Sequence, residues 1–319
     1  MRVLVTGAGG YIGATLLTML SKEMLIGDER IDALAAVDRQ LPSLKAGVVG
    51  ISGDLGSDAT HSQIREFRPD FVFHLAAIPG GAAEEDYDAG RRVNLDTSLD
   101  LFEVLAESAR AGGKAPVVVY ASTVAVYGIS LPDLVTPQTV LRPPISYGAH
   151  KLACEILLAD FSRRGWLDGR SVRLPGIVAR PRSPSGLVSA FMSDLLHALA
   201  AGESFTCPVG PAATAWWMSA HRCAQNLIHA AVMDVSSASS GRAWPLPVLR
   251  LSIDEVVQTL AHMYGANRKD LVRYEPKESV EAVFGRYPKL DDAESRALGL
   301  RDDESPKALV QRALGSLTD

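Results

Sequence analysis

Cysteine is scarce. The 319 residues hold three, Cys154, Cys207 and Cys223, too few and too scattered for a disulfide framework or a zinc site. An excess of positive charge is missing too: charged residues are 22% and the net charge is -5, so no basic surface suggests a nucleic-acid partner. No apolar run reaches membrane-spanning length; even residues 224–235 are interrupted by Gln225, Asn226, His229 and Asp234. The opening apolar strand begins at Arg2, which leaves no room for a signal peptide. Internal repeats and low-complexity segments are absent as well. These absences leave the expectation of a soluble cytoplasmic protein with reduced thiols, long enough for one large domain plus a smaller lobe.

What is present begins at the first residues. Arg2-Val3-Leu4-Val5-Thr6 is a short apolar run, β-branched at Val3 and Val5, and reads as a buried strand. It breaks at Gly7-Ala8-Gly9-Gly10, and Tyr11 to Leu20 then follows a helical apolar pattern. Gly7, Gly10 and Gly13 are spaced G-x-x-G-x-x-G. The first permits a tight turn, the second a close approach to a pyrophosphate, and the third close packing of helix on strand. The helix start offers unpaired N–H groups and the positive dipole end to phosphates. Dinucleotide binding is the expectation.

Ala33 to Val37 reads as a second strand with Asp38 at its end, where this kind of fold sets an acid against the adenosine ribose. An Asp there repels a 2′-phosphate, so NAD is expected over NADP, although Arg39 follows it directly. Val48 to Ser52, Phe71 to Ala77 and Val117 to Ala121 read as further strands, the last running into Ser122-Thr123. Between them, Asp58 to Phe67 and Val93 to Arg110 read as helices, and Ile78 to Gly90 as a loop, either folding over a substrate or simply solvated. His74 reads as a satisfied core histidine. Strands alternating with helices predict an α/β fold, a doubly wound parallel sheet with its site at the strands' carboxyl ends.

Tyr147 and Lys151 stand at i and i+4, on one face of a helix predicted from Tyr147 to Arg164, with Cβ atoms roughly 5–6 Å apart. A nearby ammonium favours phenolate and lowers a tyrosine pKa from about 10. That makes a base able to take a hydroxyl proton while hydride leaves the same carbon. Thr123 would share the substrate oxygen, or else, with Ser122, cap the backbone at a strand end. Beyond a strand at Arg170 to Leu174 the alternation loosens. Helices are expected at Val188 to Ala201, around Leu227 to Met233, and at Ile253 to Tyr264 behind a Ser252 cap with Glu255 three residues on. A short strand is expected at Leu246 to Leu251, and a polar, helical tail from Asp291.

Together these residues resemble the extended short-chain dehydrogenase/reductase superfamily: Thr6 to Gly13, Asp38, Gly53-Asp54-Leu55, His74 to Ala77, Asn94, Ser122-Thr123 ahead of Val126-Tyr127-Gly128, and Tyr147 to Lys151. The resemblance implies a Rossmann-type fold and NAD bound through Gly7, Gly10, Tyr11, Ile12 and Gly13, with Asp38 on the ribose and Asp54 and Leu55 near adenine. It adds Leu75, Ala76, Ala77, Asn94, Ser122, Pro175 and Ile177 to the cofactor set, and makes Thr123, Tyr147 and Lys151 the catalytic trio. It also implies a homodimer formed through helices 93–110 and 147–164.

The later half departs from the nucleotide-sugar members, with no Asn in Arg173 to Pro181 and Ala215 to Arg222 where an Arg-Asp-Tyr-like run would stand. Arg173-Leu174-Pro175 through Arg180-Pro181, the stretch 185–191 and Trp217-Met218-Ser219 look instead like the D-erythronate dehydrogenase group. The expectation is an NAD-binding domain at 1–174 and a substrate lobe at 175–319, partly interleaved with the sheet. The reaction expected is NAD-dependent oxidation of a secondary hydroxyl on a small sugar acid, with a nucleotide-sugar 4-epimerase as the alternative. A carboxylate substrate calls for a guanidinium grip. Arg180 is the first candidate, ahead of Arg182 and Arg222, each of them otherwise a surface arginine. Ile78 and Trp217 complete the expected substrate set, with Trp216 and Trp217 either walling a small pocket or packing in the core.

Overall fold

The computed structural model describes residues 1–182, 188–236, 238 and 241–315. Seven strands make one wholly parallel sheet: β1 Arg2–Thr6, β2 Ala33–Asp38, β3 Val48–Ser52, β4 Phe71–His74, β5 Val117–Thr123, β6 Asp168–Leu174 and, after strands that include two of a second sheet, β9 Ala243–Pro245. Their order across the sheet is β3-β2-β1-β4-β5-β6-β9, so the direction of winding reverses between β1 and β4. A crevice opens beyond the carboxyl ends of the strands at such a reversal. The central strands carry continuous apolar runs because both faces are covered; Val3, Leu4 and Val5 have no exposed surface.

Helix α1 (Tyr11–Glu23) buries Leu16, Leu17 and Leu20 on one face of the sheet. Helices α2 (Asp58–Phe67), α3 (Thr97–Arg110) and α4 (Ser146–Arg163) bury Ile64, Phe102 and Leu158 on the other. A second, three-stranded sheet sets β7 (Gly176–Val178) beside β8 (Thr214–Ser219) and β10 (Leu249–Ser252). With α5 (Ala190–Ala201) and α7 (Ile253–Tyr264) it encloses a separate apolar cluster. Helix α6 (Ala220–Val232) returns to the first sheet and shares the cluster of α1. The later chain therefore gives the main sheet both an edge strand and a covering helix.

Most elements lie where the spacing predicts. The capping box at α7 is complete, with Ser252 accepting the Glu255 N–H at 3.2 Å and the Glu255 carboxylate accepting the Ser252 N–H at 2.7 Å. The stretch predicted as a loop at 78–90 is instead mostly helical, at Gly80–Glu85 and Tyr87–Arg91. Gly80 and Gly81 masked the helical tendency of the residues after them, and Asp86 caps the second piece by accepting the Ala89 N–H at 2.9 Å. A π turn at Arg92–Asp96 joins these to α3. Strand β4 stops at His74, and the strand expected at 246–251 is found only from Leu249, as β10, while β9 at Ala243–Pro245 precedes the expected range. Among the described residues no helix is long and apolar enough to cross a membrane.

Candidate active site

The glycine turn admits no side chains at three places. Gly7 sits at φ +69°, and a Cβ there would lie 2.6 Å from the Ala76 nitrogen. A Cβ on Gly13 would lie 2.0 Å from the Gly7 carbonyl oxygen, and one on Gly9 2.2 Å from that of Gln40. Gly10 meets only the Gly7 oxygen, at 3.2 Å, and borders the crevice. It precedes α1, and no side chain caps the helix. An uncapped helix start behind a turn without side chains fits a dinucleotide's pyrophosphate.

At one end of the crevice a hollow of about 150 Å³ is lined by Asp38, Arg39, Asp54, Leu55, Leu75, Ala76, Ala77, Val93 and Thr97, among others. Asp38 accepts the Gly9 N–H at 2.9 Å and the Gln40 N–H at 3.1 Å, which fixes its carboxylate at the mouth. Asp54 accepts the Gly56 N–H at 2.9 Å. Asn94, expected to touch the cofactor, is wholly buried. Its amide is engaged by the Ile78 backbone, donating to the carbonyl at 3.0 Å and accepting the N–H at 2.7 Å. It positions the segment after β4, while its neighbours Val93 and Thr97 face the hollow. Ile78 itself lines this end; Pro79 and Gly80 take the place expected for it in the reacting cavity.

That second cavity, about 320 Å³, is lined by Thr123, Tyr147, Lys151, Pro175, Ile177, Arg180, Ser189, Met192 and Ser193, among others. The predicted trio is thus together at the carboxyl end of β5. Lys151 is 1% exposed; its Nζ donates to the Ala121 carbonyl at 2.8 Å and lies 4.6 Å from the Tyr120 ring centre and 5.9 Å from that of Tyr147. Burial draws its pKa down to about 8, against the pull of Cys154 and Glu155. Burial pushes the Tyr147 phenol above the ordinary tyrosine range, and the charge of Arg180 and a hydrogen bond with Thr123 act the other way. Two cations therefore stand on the cavity that holds this phenol, the expected Lys151 and, in addition, Arg180. Thr123 takes the capping part foreseen for it, accepting the Ala125 N–H at 3.1 Å, and its hydroxyl also hydrogen-bonds with the Tyr147 phenol.

Behind the trio lies a network that sequence reasoning missed. Ser122 lines the cavity, but its hydroxyl donates to Glu155. Arg173 donates to Glu155 at 2.7 and 3.0 Å and to the Tyr127 hydroxyl at 3.1 Å. The pair is buried, with side chains 4% and 10% exposed. A signal existed: Tyr147, Lys151 and Glu155 continue one i+4 series along a single helix face, and Arg173 is a cation within an apolar strand. His74 is the core histidine expected, its ring nitrogens meeting Thr6 Oγ1 at 2.7 Å and Ser98 Oγ at 2.9 Å, with burial holding its pKa down at about 3.

The three candidate arginines separate cleanly. Arg182 pairs with Glu203 and Arg222 with Glu304, each at 2.6 Å. Arg180 alone borders the reacting cavity, and no carboxylate of the described residues pairs with it. Trp217, placed in the substrate set from sequence, is fully buried and donates its indole N–H to the Leu251 carbonyl at 3.1 Å; Trp216 likewise donates to Pro288 at 2.8 Å. Trp217 belongs to the core of the later lobe, and Trp216 to a small cluster with Val124, Val126, Tyr127 and Val135. Residues 185–187 of the stretch read as 185–191 lie outside the described residues; Ser189 and Met192 beyond them line the cavity.

The sheet order and the turn at the head of α1 define a Rossmann-type dinucleotide-binding protein. The chain belongs to the NAD dependent epimerase/dehydratase family, whose pattern matches residues 3–221. It is 35% identical over 315 residues, 96% of this chain and 95% of the other, to D-erythronate dehydrogenase from Cupriavidus necator. Identity to D-erythronate dehydrogenase from Haemophilus influenzae is 27%, covering 98% of each chain. The fold matches the crystal structure of a nucleoside-diphosphate-sugar epimerase from Agrobacterium tumefaciens with a TM-score of 0.91 and 33% identity, over 98% of this chain and 92% of that one.

Proposed function

We propose that the protein oxidises the C2 hydroxyl of a small sugar acid with NAD, D-erythronate being the substrate. The observation that carries this reading is Arg180, a guanidinium without a carboxylate partner among the described residues, bordering the same cavity as Tyr147, Thr123 and Lys151. The two full-length relatives named for D-erythronate support it. Residues Gly7 to Gly13, Asp38, Asp54, Leu55 and Leu75 to Ala77 would hold NAD, which when bound supplies the hydride acceptor. Arg180 grips the carboxylate through two parallel hydrogen bonds. Thr123 and the Tyr147 phenol share the substrate hydroxyl, and the phenolate takes its proton. Lys151 keeps its ammonium beside the phenol and toward the nicotinamide ribose. Residues from 175 onward, chiefly Arg180, Ser189 and Ser193, shape the substrate end.

Incubating the protein with D-erythronate and free NAD is expected to give NADH in proportion to the acid consumed, with NADP much the poorer acceptor because Asp38 repels its 2′-phosphate. The second reading, a nucleotide-sugar 4-epimerase, is favoured by the likeness to the Agrobacterium tumefaciens structure. An epimerase returns the hydride, so sugar nucleotides interconverted without free NADH, and no turnover of D-erythronate, would decide for it.

The protein also acts, in this reading, as a cytoplasmic homodimer. Its three cysteines are buried and unpaired, which suits a reducing compartment. The dimer rests on the resemblance in the helices 93–110 and 147–164, of which α4 leaves Ile156 63% exposed. Light scattering is expected to give twice the chain mass of 34.1 kDa, and a single-chain mass would refute the dimer.

A further inference from the structure

Arg180 borders two spaces. With Tyr147, Thr123 and Lys151 it lines the reacting cavity, and with Gly10, Tyr11, Ser193 and Asp194 it lines a neighbouring hollow of about 460 Å³ along α1. Its guanidinium lies 5.5 Å from the centre of the Tyr11 ring. Its main chain is held on both sides by α5: the N–H donates to Ser193 Oγ at 3.0 Å, and the carbonyl accepts from His197 Nε2 at 2.8 Å. The backbone is thereby pinned where the side chain meets the cavity.

We propose that Arg180 couples the charge of the substrate to the proton on Tyr147, favouring the phenolate in the free enzyme and withdrawing that support once a carboxylate sits on the guanidinium. This rests on the reading above, in which Arg180 holds the substrate's carboxylate and Tyr147 is the base. A cation and an anion in contact act on a third group as a dipole, so most of the guanidinium's field at the phenol is cancelled when the acid binds.

The other groups around the phenol do not change in this way. Lys151, on the same helix, is buried and fixed to the Ala121 carbonyl. Thr123 and Tyr120, on β5, are neutral hydroxyl groups. From the helix Gly80–Glu85, Glu84 is exposed and accepts the Ser146 N–H at 2.9 Å, and Gly80 packs against Tyr147. Tyr11, on α1, is a phenol held protonated by burial despite Arg180. The opposition of burial by Arg180 at Tyr147 agrees in direction. The coupling serves both directions of the reaction. Bound hydroxy acid leaves a phenolate with greater proton affinity, and bound 2-oxo acid keeps the phenol protonated and ready to donate.

The test compares pH profiles of the NAD-saturated enzyme with D-erythronate and with its uncharged amide, following single-turnover NADH formation. With the acid, the limb on the low-pH side is expected about one pH unit higher for the bound-state rate than for kcat/KM. With the amide the two limbs coincide. Arg180→Met is expected to raise KM for the acid, move the kcat/KM limb upward and close the gap; Arg180→Lys restores the gap. Limbs that coincide for D-erythronate in the wild-type enzyme overturn the coupling. So does an Arg180→Met variant that binds the acid weakly yet keeps its kcat/KM limb in place, which would leave the carboxylate role standing. An unchanged KM for the acid in Arg180→Met overturns the carboxylate reading itself.

Discussion

Replacing Tyr147 by Phe is expected to lower kcat for D-erythronate oxidation by about 10²–10⁴-fold, the range set by loss of a positioned general base. The ring and its packing against Gly80 remain, so NAD affinity and the melting temperature should hold. The pH dependence is the second readout. A base works only when deprotonated, and burial raises the Tyr147 phenol above its ordinary value. Wild-type turnover should therefore keep rising with pH above neutrality, while the residual rate of Tyr147→Phe loses that dependence. A Tyr147→Phe enzyme with undiminished turnover would falsify the assignment of the base, and with it the roles given to Thr123 and Lys151.

Arg173→Met carries the largest expected effect on stability. Its partner Glu155 is 4% exposed and, among the described residues, has only the Ser122 hydroxyl as a further hydrogen-bond partner. Removing the guanidinium leaves a buried carboxylate without its counter-charge, which costs about 3–5 kcal/mol. Thermal denaturation should show this as a clear fall in midpoint. The double variant Glu155→Leu/Arg173→Met removes both charges and should recover most of the loss, so the two substitutions are strongly non-additive. A double variant as unstable as the sum of the singles would show that the pair does not act as a unit. The same pair ties α4, which carries Tyr147 and Lys151, to β6, which leads into Pro175 and Ile177. A lower kcat in Arg173→Met at temperatures where it stays folded is therefore also expected.

The strands Val48–Ser52 and β1, and the helices Asp58–Phe67 and Ile253–Tyr264, were legible to the residue because their signals are local. Apolar period, β-branching and a Ser cap three residues before a Glu all act over one or two turns of chain. The helical pieces at Gly80–Glu85 and Tyr87–Arg91 were not legible. They are short, the first opens on two glycines, and tertiary packing overrides that poor propensity: a Cβ on Gly90 would lie within 2.8 Å of Ala83. Trp217 shows the same limit at the level of the site. From sequence an aromatic residue in the substrate half has two fates, and only the register of β8 against β10, which brings the Leu251 carbonyl to its indole, decides for the core.

By itself the sequence determined the glycine turn, the acid at the end of β2 and the common helix face of Tyr147 and Lys151. Each follows from sterics or periodicity within a few residues. Tertiary structure alone decided which of the three candidate guanidinium groups is left without a carboxylate among the described residues. Arg180, Arg182 and Arg222 are chemically alike, and their fates turn on carboxylates at 203 and 304 that folding brings to two of them. An ion pair is set by distance in space, and no pattern in the chain near an arginine records which distant acid will reach it.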